Sequence, residues 1–249
     1  MCGWRWVAAA MVLSLASPAA AQGLSSKVYS PYVHKGVTEL ELRGGRLNGG
    51  PLDGEQAAIV ELEQGLNDRV SVAAIAEFEQ HAGQAGRLDG VAVEAVVYVG
   101  QIPGIGVDVG GYLEYEQRIH NESGVLEGKI LLAKQAGGFE ALVNLIAKRA
   151  LTERPGEDDT RFGYAAEATF DVGHRLKLGA QAFGDMGTNR AFGGRRAHYV
   201  GPVARWAVKP GWMSGGELEL EAAWLLPLGT ARADSDSQLR FVMAFERRF

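Results

Sequence analysis

The feature that most constrains this chain is a two-residue alternation of apolar and charged side chains, which recurs along most of its length. In Val37–Arg43, Glu39 and Glu41 alternate with Leu40 and Leu42. In 217–224, glutamates at positions 217, 219 and 221 alternate with Leu218, Leu220, Ala222 and Trp224. Because successive side chains of a β-strand point to opposite faces, this period predicts strands with one apolar and one charged face.

Twelve alternating segments follow one another without a linker or a low-complexity tract. Each is long enough for a tilted strand that crosses a bilayer, which needs about 9–11 residues. The predicted strands are Val37–Asn48, Glu55–Leu66, Val70–Gln80, Gly90–Gly100, Val107–Ile119, Val125–Gln135, Phe139–Thr152, Arg161–Val172, Leu176–Asp185, Arg196–Val208, Glu217–Leu226 and Gln238–Phe249.

The connections between these segments alternate in length, with tight turns such as Ala136–Gly138 and longer links such as Met186–Arg195. Outer-membrane barrels have short turns on the periplasmic side and longer loops outside. Length and period together predict an all-β protein: a twelve-stranded antiparallel up-and-down transmembrane β-barrel over residues 37–249. A soluble periplasmic sheet with one solvated face has the same period and stays open as an alternative.

The large aromatic side chains favour the membrane interpretation. On the predicted lipid-facing side they fall near strand ends, while the middles of the strands are rich in Ala, Val, Leu and Ile. Such girdles suit a bilayer, because aromatic rings sit at headgroup depth. The outer girdle would contain Phe78, Tyr115, Phe162, Tyr164, Trp224 and Phe241, and the periplasmic girdle Phe139, Phe170, Trp206 and Phe249.

The N-terminus has the pattern of a secretory signal. Arg5 precedes an apolar run over Val7–Ala16, and small residues at 19–21 suit a cleavage site. We expect residues 1–21 to be removed, and the chain's one cysteine, Cys2, would leave with them. Residues 22–36 would then form a periplasmic N-terminal segment, although insertion into the barrel as a small plug stays open.

Composition excludes several other classes of function. The chain has 25 Lys plus Arg against 30 Asp plus Glu, for a formal net charge of −5. That balance does not suit a nucleic-acid binder, which needs a basic face. No second apolar stretch is long enough for a helical membrane span. No motif predicts a cofactor or a metal site.

The charged faces of the strands would line the barrel lumen, where acids outnumber bases. Twelve tilted strands give a backbone radius of roughly 12 Å, so long side chains leave either a narrow wet passage or a closed, ion-paired interior. In the first case the carboxylates would act as an electrostatic filter favouring cations. The predicted filter residues are Glu39, Glu41, Glu61, Glu63, Glu77, Glu79, Glu114, Glu116, Glu217, Glu219, Glu221, Arg43, Lys129, Arg205 and Arg240.

The last predicted strand ends in Phe249, with Phe245 and Phe241 at matching alternate positions. This ending resembles the recognition signal of Gram-negative outer-membrane proteins. The resemblance implies outer-membrane localisation, with the barrel-assembly machinery, membrane lipids and lipopolysaccharide as partners. Arg247 departs from the pattern, since that position is usually apolar, but an arginine near the interface can extend its head to water.

The leading functional hypothesis is passage of small polar or cationic solutes across the outer membrane. A non-conducting structural or adhesive barrel is the second hypothesis, and a hydrolase at the barrel rim is the third. For the third, His81 and Glu79 are a conceivable pair, but the serine nearest a strand, Ser71, lies at the opposite strand end. We therefore expect no catalytic residues.

Overall fold

The computed structural model describes residues 23–120, 123–152, 159–209 and 216–248. Within these ranges the chain forms twelve β-strands and one short 3-10 helix, η1 (Thr230–Ala233). No helix in these ranges is long and apolar enough to span a membrane. The strands are β1 (Val37–Asn48), β2 (Gln56–Gly65), β3 (Val70–Gln80), β4 (Arg87–Ile102), β5 (Val107–Arg118), β6 (Gly124–Ala136), β7 (Phe139–Leu151), β8 (Thr160–Gly173), β9 (Leu176–Thr188), β10 (Ala197–Val208), β11 (Gly216–Gly229) and β12 (Ser237–Arg248).

Each strand pairs with its neighbours in sequence, and the sheet closes between its first and last strands. In that closing pair, β1 and β12 run antiparallel from Val37 opposite Arg248 to Asn48 opposite Ser237. Closure leaves no strand edge unpaired, which removes the main liability of a sheet. The predicted all-β, twelve-stranded up-and-down barrel is therefore confirmed. We call the end with Val37 and Arg248 the near end, and the end with Asn48 and Ser237 the far end.

The tight turns use residues with left-handed backbone conformations. Gly137 and Gly138 join β6 to β7 with φ of 58° and 85°. His174 and Arg175 join β8 to β9 with φ of 54° and 62°. Two consecutive positive φ values match the twist of the flanking strands in a two-residue hairpin. β8 ends at Gly173, one residue later than the sequence predicted.

The outer surface of the barrel is an apolar belt. Mid-strand aliphatic side chains such as Val93 and Leu113 are 61% and 56% exposed. Phe139 at the start of β7 and Phe170 and Trp206 near the ends of β8 and β10 are exposed as well. A water-soluble domain rarely exposes so large an apolar surface, whereas a bilayer favours it.

The interior core is assembled around residues that precede the first strand. Tyr29 and Val33 pack with Val96, Tyr112 and Leu131 on the inner wall. At the far end, Leu24 packs with Leu47 and Ala57. The barrel is thus filled partly by its own N-terminal segment.

Candidate functional site

The charged faces of the strands point into the lumen. This is clearest where side chains from strands that are not neighbours meet. Lys148 on β7 lies 3.2 Å from Glu116 on β5, and Lys177 on β9 lies 2.6 Å from Glu140 on β7. Contacts that skip a strand are made only on the concave side of a barrel, so these groups share one interior.

Residues 23–36, called here the N-terminal segment, lie inside the barrel. The carboxamide of Asn144 on β7 holds the backbone of Tyr29 at both its groups: the Tyr29 N–H donates to Oδ1 at 2.7 Å, and Nδ2 donates to the Tyr29 carbonyl at 2.8 Å. Asn144 is fully buried. At the near end, the Tyr32 hydroxyl donates to Asp108 at 2.9 Å. Of the two alternatives left open for residues 22–36, these contacts match the small plug and not a free periplasmic tail. Buried polar and apolar partners on the wall retain this segment within the lumen.

Three inward-facing glycines leave room for this segment. A Cβ at Gly45 would collide with the carbonyl of Leu24, and one at Gly65 with the carbonyl of His34. A Cβ at Gly110 would lie 2.8 Å from Cβ of Pro31. Glycine within a strand commonly marks a close approach of other backbone, so the wall is shaped to receive the segment along its length.

The first ion-pair group joins the segment to β1 and β2. The Lys27 ammonium lies 2.9 Å from Glu41 Oε2 and 3.2 Å from Glu61 Oε1. Arg43 pairs with the other oxygens of the same two carboxylates and donates to the carbonyl of Ser25 at 2.9 Å. Burial disfavours the charged amine, yet Glu41 and Glu61 raise the pKa of Lys27 above its ordinary value.

The second group lies on β5, β6 and β7. Glu116 pairs with Arg118 at 3.0 Å and with Lys148 at 3.2 Å. Lys129 pairs with Glu127 at 2.9 Å and lies 4.0 Å from the ring centroid of Tyr29. A cation over an aromatic face is attracted by the negative face of the ring, so this group also contacts the N-terminal segment.

The third group centres on Arg205 of β10. Its guanidinium lies 2.9 Å from Glu167, 3.2 Å from Glu219 and 2.8 Å from Glu221. Gln181 donates to both Glu167 and Glu221 at 2.6 Å. One arginine therefore pairs with several carboxylates in this group.

A row of glutamates crosses four neighbouring strands at the near end. Glu63, Glu39, Glu246 and Glu217 lie opposite one another in consecutive registers from β2 to β11. Like charges directly opposite one another repel, and in this acid row Glu217 is also paired, with Arg175 at 2.8 Å and with Lys209 at 3.4 Å. Glu246 was missed from the sequence, although its inward parity with Arg240 was available there.

The remaining predicted residues are dispersed along the wall. Glu114 accepts a hydrogen bond from Tyr112 and forms an acidic triad with Glu77 and Glu116. Glu79 is buried near the far end. Arg240 lies 3.8 Å over the Phe183 ring and donates to the carbonyl of Gly23 at 3.3 Å. Sequence reasoning missed Lys27, Tyr29 and Asn144, whose roles depend on where the segment lies.

In the part of the chain that the structure describes, no hydrogen bond or ion pair joins His81 to Glu79, the pair considered for a hydrolase. His81 pairs with Glu55 at 2.9 Å, while His198 contacts Tyr164 at 3.3 Å. Ser71 and His81 lie at opposite ends of β3. In the described ranges, the acid-rich groups that could hold a metal ion contain glutamates and no histidine: Glu61, Glu63 and Glu94 form one, and Glu77, Glu114 and Glu116 the other.

Comparison with known proteins places the fold among outer-membrane porins and channels. The chain is similar to the NanC porin, with a TM-score of 0.57 and 11% identity over 84% of this chain and 100% of that one. It is similar to the KdgM porin in complex with disordered oligogalacturonate, with a TM-score of 0.55 and 7% identity over 85% and 99%. An outer-membrane channel from Pseudomonas putida F1 gives a TM-score of 0.57 and 12% identity over 87% and 97%.

The similarity is confined to the fold. No family model matches the sequence, and no curated protein matches it significantly. The chain therefore shares an overall fold with these porins and channels.

Proposed function

We propose that this protein is an outer-membrane channel for small polar or cationic solutes. The observation that carries the proposal is the combination of a closed barrel, an apolar outer belt and an interior rich in carboxylates. A bilayer-spanning barrel with a polar interior provides a path for polar solutes, which the hydrocarbon core of the bilayer does not provide. The acid row at the near mouth would raise the local concentration of cations.

The N-terminal segment determines when this path is open. In the structure it lies along the lumen between Leu24 and Val33, held by Asn144 and by the first ion-pair group. Passage of a solute requires that the segment move aside. A closed barrel with a structural or adhesive role is the second candidate, and the observation that favours it is this same filled lumen.

The outer-membrane location and the partners belong to the same proposal. Phe241 is exposed on the lipid side of β12 and Phe245 is half-buried beside Gly216, while Phe249 lies outside the described residues. We propose that this strand is read by the barrel-assembly machinery and that the outer belt contacts lipid and lipopolysaccharide. Residues 1–21, the proposed signal peptide, also lie outside the described residues.

Single-channel recording in planar bilayers tests the function. We expect the full mature chain to show rare openings, and a variant that lacks residues 23–33 to conduct steadily with a preference for K⁺ over Cl⁻. Heat-modifiable migration in a denaturing gel would verify that each variant is folded. If the folded variants never conduct, the channel hypothesis is contradicted and the structural role is supported.

The acid row supplies a sharper test of the filter. Replacing Glu39, Glu63 and Glu246 by glutamine in the conducting variant removes three lumen charges, so we expect the K⁺ preference to fall. The control replaces three exposed loop acids, Asp53, Asp68 and Asp236, by asparagine. Equal selectivity in the two triple variants would show that the row does not act as a filter.

A further inference from the structure

Lys27 is held by the wall in the way that a bound amine would be. Its ammonium contacts Glu41 at 2.9 Å and Glu61 at 3.2 Å, and these carboxylate side chains are only 5% and 1% exposed. The Tyr29 ring lies beside it, with the centroid 4.6 Å from Nζ. An ammonium group has three donors and no acceptor, so buried carboxylates and an aromatic face are the partners that recognise it.

The carboxylates that surround the Lys27 ammonium need a cation among them. The inner faces of β1, β2 and β4 bring together the acids Glu39, Glu41, Glu61, Glu63 and Glu94. Among the described residues, Arg43 and Lys27 are the bases that pair with this set. If the N-terminal segment withdraws, Lys27 leaves with it. The carboxylates are then buried with one arginine, which is costly unless another cation arrives.

Glu94 adds an acceptor that is not used in this state. It is 4% exposed; its Oε2 accepts from the hydroxyl of Tyr29 at 3.0 Å and lies 2.8 Å from the hydroxyl of Tyr112. Its Oε1 has no hydrogen-bond partner among the described residues. Carboxylate oxygens of Glu61, Glu63 and Glu94 lie within 4.8 Å of one another, so the spare acceptor belongs to the same cluster.

We propose that Glu41, Glu61 and Glu94 form a binding site for the primary ammonium group of an amine solute, and that Lys27 fills this site in the closed state. The inference rests on the proposed channel for the claim that the solute passes through. An ammonium replaces Lys27 like for like.

Chemical rescue of the full-length chain tests the site. Lys27→Ala removes the atoms of n-propylammonium, so we expect a lower melting temperature that added n-propylammonium raises in a saturable way. The neutral analogue 1-propanol and the bulky tetramethylammonium ion should not raise it. The matched control is Lys209→Ala, which removes an exposed lysine that pairs with Glu217 at 3.4 Å and should show no rescue.

A second substitution assigns the rescue to the carboxylates. Adding Glu61→Gln to Lys27→Ala should weaken the apparent affinity for n-propylammonium by about tenfold or more, since it removes a charge-assisted hydrogen bond. Rescue of the same size by tetramethylammonium, or rescue that survives Glu61→Gln, would overturn the proposal.

The unmodified protein provides an independent measurement if Lys27→Ala fails to fold. We expect n-propylammonium to increase amide hydrogen exchange in residues 24–33 while exchange in the strands stays unchanged; no increase would count against the site. Rescue without conductance would support the amine site and contradict the channel. Conductance without rescue would support the channel and contradict the amine site.

Discussion

At the scale of single residues, Arg43 joins the N-terminal segment to the wall. It is 4% exposed, and it binds two carboxylates, the carbonyl of Ser25 and the hydroxyl of Tyr29. A buried ion pair contributes little compared with well-packed apolar groups, but loss of one partner leaves an uncompensated charge. Removal of Arg43 would therefore leave two buried carboxylates without their arginine partner.

We predict that Arg43→Met lowers the free energy of unfolding by about 3–5 kcal/mol, because Glu41 and Glu61 would remain buried without their arginine. Denaturant titration of the protein in detergent micelles measures the change. The control is Arg87→Met: the exposed Arg87 side chain pairs with Asp89 at 3.8 Å, and its loss should cost less than about 1 kcal/mol. Similar losses in the two variants would contradict this account.

At the scale of elements, the N-terminal segment is the part whose location the sequence left open. Its residues lack the two-residue period of the strands, so local pattern does not distinguish a periplasmic tail from a small plug. Its location depends on glycines that lie far away in sequence, at Gly45, Gly65 and Gly110. Inward positions without side chains, on strands that otherwise carry long ones, were the one signal available in the sequence.

We predict that Gly110→Ala loosens the segment, because the new methyl group would lie 2.8 Å from Pro31 Cβ. Overpacking of this kind costs about 1–3 kcal/mol. Hydrogen exchange in residues 24–33 should rise, while heat-modifiable migration shows an intact barrel. Gly111→Ala is the matched control, since its Cβ would point outward into open space. Loosening by Gly111→Ala to the same degree would show that the contact with Pro31 is not the cause.

At the scale of the whole molecule, closure and the apolar belt are two parts of one arrangement. The pairing of β1 with β12 removes the last open edge of the sheet. The outward side chains then form one continuous apolar surface. A closed barrel meets the requirement that every backbone group in lipid be hydrogen-bonded within the protein. The interior of the barrel can be polar because the apolar surface required by the bilayer lies on the outside.

We predict that the cost in stability of placing a charge on the apolar belt depends on its depth in the bilayer. Val93 lies within β4 and is 61% exposed, whereas Ile105 lies in the β4–β5 turn and is 55% exposed. Val93→Arg should lower the free energy of unfolding from lipid vesicles by about 2–4 kcal/mol, and Ile105→Arg by about 0–1 kcal/mol. The reverse order would contradict the orientation of the barrel in the bilayer.

The sequence predicted the parts of this protein that depend on local period. Side chains such as Glu39 and Leu40 alternate because the strand pleat has a period of two residues, so strand number, wall parity and closure followed from the pattern. The same pattern predicts which side chains share the inner face of the wall, and the acid surplus of the lumen stays a prediction.

Only the tertiary structure decided which charges meet and what fills the lumen. Lys27 reaches Glu41 and Glu61, and Asn144 holds Tyr29, across separations in sequence that no local pattern encodes. The physical reason is that a buried charge must find its partner in three dimensions. The pairing therefore depends on strand register and barrel curvature, which exist only after the sheet has closed.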